Sequence, residues 1–306
     1  MDYELVIIGA GPAGYAAGIY AGRSGISSLI VDKGAGGGLA AISPNIENYP
    51  GFISISGFEL TAKMQEHAGK YAKMKLGEEI VDITKNSSSF VVKSSQNSYR
   101  CNAVLLCTGT EYRSLGVDGE QRLRGRGVSY CATCDGFFFK EKTVAVIGGG
   151  NSALIEAIYL VQIRCKKVFL IHRRDQMRAD QSYQDEASAK GVKMVYNAVV
   201  QSIKGDEQVE SLQVMDTKNN TVSDISVDGV FVSIGEIPQN KLAKKIGVSI
   251  DKKGYVIVDG QGRTNISGVY AAGDITGGLR QVITACAKGA VAALASTEVL
   301  GKKYPY

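Results

Sequence analysis

A short apolar run near the start of the chain is followed at once by closely spaced glycines. Leu5 to Ile8 is apolar and largely β-branched, Gly9 to Gly14 reads G-x-G-x-x-G, and Tyr15 to Ala21 has the small residues of a tightly packed helix. A second apolar run, Ser28 to Val31, ends in Asp32, 23 positions after Gly9. This pattern predicts a strand, a phosphate-binding turn, a helix and a strand whose final acid binds a ribose. An ordinary glycine turn is the alternative.

The same pattern returns in the middle of the chain. Val144 to Ile147 is strand-like, Gly148 to Ala153 reads G-x-G-x-x-A, and Leu154 to Val161 has a helical pattern. The next strand-like run, Lys167 to Ile171, leads into His172, 24 positions after Gly148. The chain therefore contains two copies of one nucleotide-binding unit, which predicts an α/β fold with two Rossmann-like three-layer ββα domains.

The two copies differ after their second strand, where nucleotide specificity is set. The first copy has Asp32 at this place, whereas the second has His172, Arg173 and Arg174, with Arg178 close behind. A carboxylate would repel a 2′-phosphate, and adjacent guanidinium groups can bind one through several charge-assisted hydrogen bonds. The second unit is therefore predicted to bind NADP, with a solvated basic turn as the alternative.

Composition and charge exclude some classes of protein. The 306 residues suffice for about two domains, and the net charge of +5 comes from dispersed lysines and arginines. We therefore expect no nucleic-acid partner. No apolar run reaches the ~18 residues of a membrane span, and the chain starts without a basic leader. We expect a cytoplasmic protein that does not associate with membranes.

Two cysteines lie close together in the sequence Cys131-Ala132-Thr133-Cys134-Asp135. Such a pair can close a disulfide or bind a metal. Structural zinc takes about four N or S ligands, and the chain has one such pair and 2 scattered histidines. A redox pair is therefore the favoured hypothesis, and no metal site is expected. The other cysteines, which lie in apolar surroundings, are expected to be inert thiols: Cys101, Cys107, Cys165 and Cys286.

Further motifs give the chain a specific resemblance to one family. Besides the glycine turns and the cysteine pair, the chain contains ENYPG, GRGVS, HRRD, AAGD and RQV at residues 47–51, 125–129, 172–175, 271–274 and 280–282. From about residue 4 to residue 299 it resembles the low-molecular-weight thioredoxin reductases, a class of FAD-dependent pyridine nucleotide-disulfide oxidoreductases.

The resemblance implies a homodimeric flavoprotein in which the second domain is inserted into the first. Residues 1–110 and 241–306 would form a discontinuous FAD-binding domain, and residues 111–240 an NADPH-binding domain that contains the cysteine pair. The FAD contacts that it implies are Gly9, Gly11, Pro12, Ala13, Gly14, Asp32, Lys33, Gly37, Gly38, Leu39, Asn48, Thr108, Gly109, Gly273, Asp274, Arg280, Gln281 and Val282. The NADPH contacts that it implies are Gly148, Gly150, Asn151, Ser152, Ala153, His172, Arg173, Arg174, Arg178, Ile234 and Gly235.

The resemblance also implies a reaction, the reduction of a thioredoxin or thioredoxin-like protein by NADPH through FAD and the cysteine pair. Cys134 would face the flavin, Cys131 would attack the disulfide of the partner, and Asp135 would exchange protons. A cap for the following helix or turn is the alternative for Asp135. Because the pair and the nicotinamide would share one domain, that domain would rotate about connections near residues 110–116 and 236–241.

Two positions depart from the family pattern. Gly38 stands where a glutamine is common, and Glu236 stands where a histidine is common.

Two rival functions stay open. One rival is a related flavoprotein disulfide reductase with another electron donor or dithiol substrate. The other is a non-enzymatic redox-sensing module that binds nucleotides. The complete second glycine turn and the adjacent Arg173 and Arg174 favour NADPH as the donor.

Overall fold

The structure is a computed structural model that describes residues 2–303. Proximity of Cα atoms divides it into two compact units. The first unit holds the described residues up to Glu111 together with those from Ile237 onward, and the second unit is Tyr112–Glu236. Residue 1 and residues 304–306, which belong to the predicted FAD-binding domain, lie outside the described residues.

The described chain combines α-helices with parallel and antiparallel strands, as expected for an α/β fold. The strands are β1 (Leu5–Ile8), β2 (Ser28–Asp32), β3 (Lys73–Leu76), β4 (Ile80–Asn86), β5 (Ser89–Ser94), β6 (Ser98–Cys101), β7 (Ala103–Leu106), β8 (Thr110–Tyr112), β9 (Val128–Ser129), β10 (Thr143–Gly148), β11 (Lys167–Ile171), β12 (Lys193–Val195), β13 (Ala198–Lys204), β14 (Ser211–Asp216), β15 (Val222–Ser226), β16 (Gly229–Ser233), β17 (Glu236–Pro238) and β18 (Val269–Ala271). The α-helices are α1 (Pro12–Arg23), α2 (Gly57–Gly69), α3 (Ala132–Asp135), α4 (Asn151–Gln162), α5 (Gln181–Ala189), α6 (Lys241–Lys245) and α7 (Val282–Ala295). Short 3₁₀ helices cover Gly38–Ile42, Gly136–Phe139 and Asp274–Thr276. Within residues 2–303, none of the helices is long and apolar enough to cross a membrane.

A five-stranded parallel sheet, in the order β18-β7-β1-β2-β3, forms the middle layer of the first unit. Its inner strands are buried on both faces, which is why β1 and β7 are unbroken apolar runs in the sequence. On one face Leu5 and Ile7 pack in a cluster with Tyr15 of α1. On the other face Val6 packs with Phe90 of the antiparallel sheet β4-β5-β6. The unit therefore has the three predicted layers of helix, parallel sheet and antiparallel sheet.

Helices α1 and α7 pack closely against each other in the first unit. A Cβ atom on Gly289 of α7 would lie 2.0 Å from the backbone oxygen of Ala13 in α1. A Cβ atom on Gly18 of α1 would lie 2.7 Å from the Ile30 side chain in the sheet. Glycine at these two positions lets helix backbones approach their neighbours. This approach explains the small residues that the sequence places in both helices.

The second unit repeats the architecture with a different chain order. Its parallel sheet has the order β12-β11-β10-β16-β9, and its antiparallel sheet is β13-β14-β15. Val144 and Val146 pack with Leu154 of α4 on one face, while Ala145 packs with Val214 on the other. The edge strand β9 precedes the glycine turn in sequence, whereas the corresponding edge strand of the first unit, β18, lies near the end of the chain. Both predicted nucleotide-binding folds are confirmed.

The chain passes between the units through β8 and β17, two short strands that pair with each other. Beside them, the Thr108 hydroxyl donates to the backbone oxygen of Gln239 at 2.7 Å. These strands lie within the connections about which rotation is predicted. The rotation itself stays a prediction.

Replacing Gly289 with alanine should destabilise the first unit, although alanine is the better helix former. Its helix propensity favours the folded state by about 1 kcal/mol. The new methyl group would, however, overlap the Ala13 backbone oxygen, which lies 2.0 Å from the Cβ position, and overpacking costs about 1–3 kcal/mol or more. Urea unfolding should therefore show a lower midpoint for G289A. The exposed neighbour Ala287, changed to serine, is the control, and an unchanged midpoint in both variants would contradict the close packing.

Candidate active site

The cysteine pair lies where the edge strand β9 leaves the parallel sheet of the second unit. Cys131 follows this strand, and the single turn of α3 brings Cys134 back to it. The two residues form a disulfide with Cα atoms 5.3 Å apart. Within residues 2–303, no group of three or more His, Cys, Asp or Glu side chains could hold a metal ion. The disulfide is what the redox hypothesis predicts for this pair.

Asp135 accepts a hydrogen bond from Ser129, a residue for which the sequence predicted no role. The Ser129 hydroxyl donates to Asp135 Oδ2 at 2.6 Å and accepts from the Cys131 backbone N–H at 3.1 Å. The Asp135 backbone N–H donates to the Cys131 backbone oxygen at 3.1 Å, which closes a ring of hydrogen bonds. The side chain of Asp135 makes no capping bond to the 3₁₀ helix that follows, so the capping alternative is wrong.

The surroundings of Asp135 change its affinity for a proton. Burial raises the pKa of the Asp135 carboxyl above its ordinary value, and the hydrogen bond from Ser129 opposes that rise. Burial penalises the charged carboxylate, whereas a donor aimed at it stabilises the charge. Asp135 Oδ1 is buried and has no hydrogen-bond partner in the described part of the chain. A carboxyl with a raised pKa and one unbound oxygen is suited to general acid–base chemistry.

Tyr130, which precedes the first cysteine, is held on three sides. Its ring stacks on that of Tyr112 with centroids 4.9 Å apart, and the Arg124 guanidinium lies 4.8 Å from its centroid. Its hydroxyl donates to Glu120 Oε1 at 2.8 Å. Burial and this hydrogen bond raise the pKa of Tyr130, so the phenol stays protonated. The backbone that leads into the disulfide is therefore fixed by packing.

The glycines of the first turn are required for different reasons. Gly9 has a φ of +110°, and a Cβ there would lie 2.2 Å from the Cys107 backbone oxygen. A Cβ on Gly14 would lie 1.9 Å from the backbone oxygen of Gly9. Gly11 has a φ of −89°, and its Cβ would have only Gly38 Cα within 4 Å, at 3.9 Å. Neither conformation nor packing demands glycine at position 11, so the open space there fits the approach of a phosphate group.

The second turn repeats this division of roles. A Cβ on Gly148 would lie 2.5 Å from the Ser233 backbone oxygen, and one on Gly149 would lie 2.2 Å from the His172 ring. Gly150 has a φ of −105°, and its Cβ would meet no heavy atom within 4 Å. Each unit thus has a glycine with open space around its Cβ position, Gly11 or Gly150, directly before a helix N-terminus. This arrangement fits the pyrophosphate of a dinucleotide.

The predicted contacts lie at the carboxyl ends of parallel strands in both units. In the first unit, predicted FAD contacts follow or end β1, β2, β7 and β18 at Gly9, Asp32, Thr108, Gly109, Gly273 and Asp274. In the second unit, predicted NADPH contacts follow or end β10, β11 and β16 at Gly148, His172, Ile234 and Gly235. Further predicted contacts lie at the starts of helices: Pro12 and Ala13 in α1, Asn151, Ser152 and Ala153 in α4, and Val282 in α7. Ligands bind at this edge of open α/β sheets.

Asp32 braces the first turn through both of its carboxylate oxygens. Oδ2 accepts from the Ala10 backbone N–H and Oδ1 accepts from the Gly34 backbone N–H, each at 2.7 Å. Each oxygen keeps a second lone pair, so a ribose hydroxyl can still bind, and that contact stays a prediction. The neighbouring Lys33 pairs instead with Glu111 at 3.1 Å.

The loop that holds Gly37, Gly38 and Leu39 is supported from beneath by a tyrosine that sequence patterns did not reveal. Gly36, Gly37 and Gly38 all have positive φ, at 90°, 84° and 57°. The Tyr15 hydroxyl accepts from the Gly37 backbone N–H at 3.1 Å and donates to Gln65 Oε1 at 3.0 Å. Burial raises the pKa of Tyr15 to about 12. The left-handed backbone at Gly38 gives a structural reason for glycine where the family pattern has glutamine.

Asn48 and Gln281, two predicted FAD contacts far apart in sequence, touch each other. Asn48 Nδ2 donates to Gln281 Oε1 at 3.0 Å across 233 positions. Gln281 also caps α7, because its side chain accepts a hydrogen bond from the Thr284 backbone N–H. In return, the Gln281 backbone N–H donates to the Thr284 hydroxyl at 3.2 Å. The structure therefore assembles one polar cluster at the start of α7, where backbone N–H groups and the helix dipole point outward.

A lysine fixes the loop between Asp274 and Arg280. Lys288 Nζ donates to the Thr276 hydroxyl at 3.0 Å and to the Gly277 backbone oxygen at 2.6 Å. Burial lowers the pKa of Lys288. Lys288 had no signal in the sequence, because its partners lie on the preceding loop rather than on its own helix.

His172 lies beneath the second glycine turn. Its ring nitrogens contact the backbone oxygens of Gly148 at 2.9 Å and Gln176 at 3.0 Å. The ring therefore supports the turn, and a direct contact with a nucleotide stays a prediction. The side chains of Arg173 and Arg174 are exposed, and neither has an ion-pair partner among the described residues.

The loop after Arg174 is tied to the start of α4. Asn151 Nδ2 donates to Asp180 Oδ2 at 2.8 Å, and the Asp180 backbone N–H donates to Asn151 Oδ1 at 2.9 Å. The Arg178 backbone N–H donates to the Gly149 backbone oxygen at 2.8 Å. These bonds tie the backbone of the arginine-containing loop to the glycine turn, and guanidinium groups on such a loop can bind a phosphate.

The cysteines outside the pair are unpaired. Burial raises the pKa of Cys101 to about 12 and that of Cys165 to about 11. Burial also raises the pKa of Cys107 and of Cys286. Because the thiolate is the reactive form, these environments are those of unreactive thiols.

Comparison with known proteins finds relatives over nearly the whole chain. Residues 3–289 match the family model described as pyridine nucleotide-disulphide oxidoreductase. The chain is 40% identical over 294 residues to the thioredoxin reductase of Bacillus subtilis (strain 168), which covers 95% of this chain and 92% of that protein. The crystal structure of thioredoxin reductase from Streptococcus pyogenes MGAS5005 covers 98% of both chains with a TM-score of 0.92 at 40% identity. Thioredoxin reductase from Giardia duodenalis covers 98% of this chain and 99% of that one with a TM-score of 0.91 at 30% identity.

Replacing Gly150 with alanine should weaken nucleotide binding without destabilising the ligand-free protein. No protein atom lies within 4 Å of the new methyl group, whereas a bound pyrophosphate would meet it. We expect about a 10- to 100-fold loss of affinity for NADP⁺, measured by calorimetric titration, because overpacking costs about 1–3 kcal/mol. Gly148→Ala is the contrasting variant and should lower the unfolding midpoint of the ligand-free protein. Equal NADP⁺ affinity in G150A and the original protein would remove the phosphate role of this turn.

Proposed function

The chain belongs to the pyridine nucleotide-disulphide oxidoreductase family, and from this membership we propose that it is an NADPH-dependent, FAD-containing thioredoxin reductase. The observation that carries the proposal is the Cys131–Cys134 disulfide at the carboxyl edge of a nucleotide-binding sheet, beside the buried acid Asp135. The relatives described above support thioredoxin, or a thioredoxin-like protein, as the partner. The reaction is the reduction of that partner's disulfide.

FAD is assigned to the first unit and NADPH to the second. When bound, NADPH supplies a hydride and FAD passes two electrons on to a disulfide. In the first unit the open space at Gly11 would accommodate the pyrophosphate of FAD, and the Asn48–Gln281 cluster would offer polar groups. In the second unit Gly150 leaves space for a pyrophosphate, and the unpaired Arg173 and Arg174 attract a 2′-phosphate.

The cysteines carry the electrons onward in two thiol–disulfide exchanges. When two electrons enter the disulfide, its S–S bond breaks, and Asp135 gives its proton to the Cys134 sulfur. The Cys131 thiolate attacks the partner's disulfide and forms a mixed disulfide, which releases one partner thiolate to take a proton from water. Asp135 then takes back the Cys134 proton as Cys134 attacks the Cys131 sulfur. The original disulfide forms again, and the second partner sulfur leaves as a thiolate.

Rotation of the second unit follows from the positions of these groups in the chain. The disulfide and the proposed NADPH contacts belong to the second unit, whereas the proposed FAD contacts belong to the first. Both the nicotinamide and the disulfide must reach the same flavin in turn. We propose that the second unit rotates about β8 and β17 between these steps.

We further propose that the protein is a cytoplasmic homodimer. The first unit exposes apolar side chains, with Ile53 exposed to 95% and Phe58 to 74%. Exposed apolar patches are typical of interfaces, and we expect Ile53 and Phe58 to belong to one. The unpaired cysteines outside the redox pair agree with a reducing compartment.

Two rivals remain to be tested against this proposal. A related reductase could use another electron donor or a small dithiol, but the exposed pair Arg173 and Arg174 beside a complete glycine turn supports NADPH. A non-enzymatic redox sensor could also use a disulfide. The buried acid held beside Cys134 supports catalysis, because a sensor does not need repeated proton exchange.

Anaerobic titration of the purified protein with NADPH tests the proposed function directly. A bound flavin should lose its absorbance near 450 nm when NADPH is added, and two thiols per chain should then become titratable on Cys131 and Cys134. Oxidised thioredoxin should restore the flavin absorbance, whereas NADH should act poorly as a donor. A colourless protein that consumes no NADPH would favour the sensor, and bleaching without reduction of thioredoxin would favour another dithiol substrate.

Replacing both Arg173 and Arg174 with alanine should remove the preference for NADPH. A hydrogen bond to a charged group contributes about 1.5–3 kcal/mol, so losing two of them should raise KM for NADPH by about 100-fold or more. KM for NADH should stay nearly constant, since NADH lacks the 2′-phosphate. Lys218→Ala in the same unit is the charge control. Parallel changes for both nucleotides would assign the two arginines to a structural role.

A further inference from the structure

The ring of hydrogen bonds around Asp135 has Ser129 at its centre. We propose that Ser129 is a positioning residue for the thiol chemistry, which holds Asp135 Oδ2 and the Cys131 backbone together and leaves Asp135 Oδ1 to exchange the proton. This inference rests on the proposed function, because it concerns the proton that accompanies opening and closing of the disulfide.

Strand pairing fixes the position of the serine hydroxyl. Ser129 is 5% exposed and pairs with Phe231 as β9 adds to the edge of the parallel sheet. From this position Oγ accepts from the Cys131 backbone N–H at 3.1 Å and donates to Asp135 Oδ2 at 2.6 Å. A longer approach of Oγ to the Cys131 backbone oxygen, at 3.4 Å, competes poorly for the single hydroxyl hydrogen. The hydrogen is therefore assigned to the carboxyl group.

This assignment distinguishes the two oxygens of Asp135. Oδ2 accepts the hydrogen bond from Ser129, so a proton on the carboxyl group belongs on Oδ1. Oδ1 is buried and has no hydrogen-bond partner among residues 2–303. When the disulfide opens, Oδ1 gives its proton to the Cys134 sulfur, and the carboxylate that results keeps the hydrogen bond from Ser129. When Cys134 attacks the mixed disulfide, the proton returns to Oδ1.

No charged side chain in the described part of the chain replaces this hydrogen bond. Helix α4, which packs against α3, has Glu156 and Tyr159 as its ionisable residues, and Tyr130 is the ionisable residue next to Ser129 in sequence. None of them is among the causes of the altered pKa of Asp135, which are burial and the bond from Ser129. Loss of the serine hydroxyl would therefore leave the buried carboxylate without its donor, which disfavours the charged form.

The test compares Ser129→Ala with Ser129→Thr, which keeps a hydroxyl, and with Ser223→Ala, an exposed serine of the same unit. The first measurement is the infrared carbonyl band of the protonated Asp135 carboxyl in the oxidised protein as a function of pH, assigned by its disappearance in Asp135→Asn. In S129A this band should persist to higher pH than in the original protein. In S129T and S223A it should disappear over the original pH range.

The second measurement follows the reduction of thioredoxin by the pre-reduced protein in a stopped-flow instrument. S129A should lower the rate at neutral pH on the order of tenfold, the equivalent of a lost hydrogen bond to a charged group, and should move the pH profile of this step to higher pH. Reduction of the bound flavin by NADPH should keep its rate in S129A, which shows that the variant is folded.

An infrared band that titrates at the same pH in S129A and the original protein would overturn the positioning role. An S129T variant as impaired as S129A would also overturn it, because packing rather than the hydroxyl would then matter. The infrared result does not depend on any partner protein. If the band shifts as expected but the original protein fails to reduce thioredoxin, the proposed function fails while the role of Ser129 stands.

Discussion

Parallel strand pairing is the constraint on which both units depend, because it sends the carboxyl ends of neighbouring strands to one edge of each sheet. Leu5 pairs with Ala103 in the first unit, and Val144 pairs with Gly229 in the second. Leu5 and Val144 each stand four positions before the first glycine of their turn. The two sheets therefore share one register, and their residues can be compared position by position.

This register explains where the disulfide lies. Val128 of β9 pairs with Val230, the residue after Gly229, and Val269 of β18 pairs with Val104, the residue after Ala103. Val128 and Val269 therefore hold corresponding places in the two sheets. Three residues further along, Cys131 corresponds to Ala272, which precedes Gly273–Asp274. At this place the first unit has the proposed FAD contacts Gly273 and Asp274, and the second unit has its redox pair. In the proposed function, the two units thus use the same edge of the same fold for different parts of one electron path.

Local sequence features predicted most of the fold and part of the site. Buried strands, glycine turns and the cysteine pair depend on neighbouring residues, so their spacing reveals them. Contacts between distant residues gave no such signal, as with Asn48 and Gln281, which meet across 233 positions. Strand β9 is only two residues long, too short for an alternating or apolar pattern. Its hydrogen bond from Ser129 to Asp135 could therefore not be predicted, and the capping alternative for Asp135 could be rejected only with the geometry known.

The unreactive thiols protect the redox pair from thiol–disulfide exchange within the chain. With the pKa of Cys101 at about 12 and that of Cys165 at about 11, the thiolate fraction at pH 7 is on the order of 10⁻⁵ to 10⁻⁴. Because thiolates attack disulfides, these cysteines hardly compete for the Cys131–Cys134 bond. Internal exchange, which would trap the chain in a mispaired state, is therefore slow. The Cys131–Cys134 bond therefore keeps its own pairing in the oxidised protein.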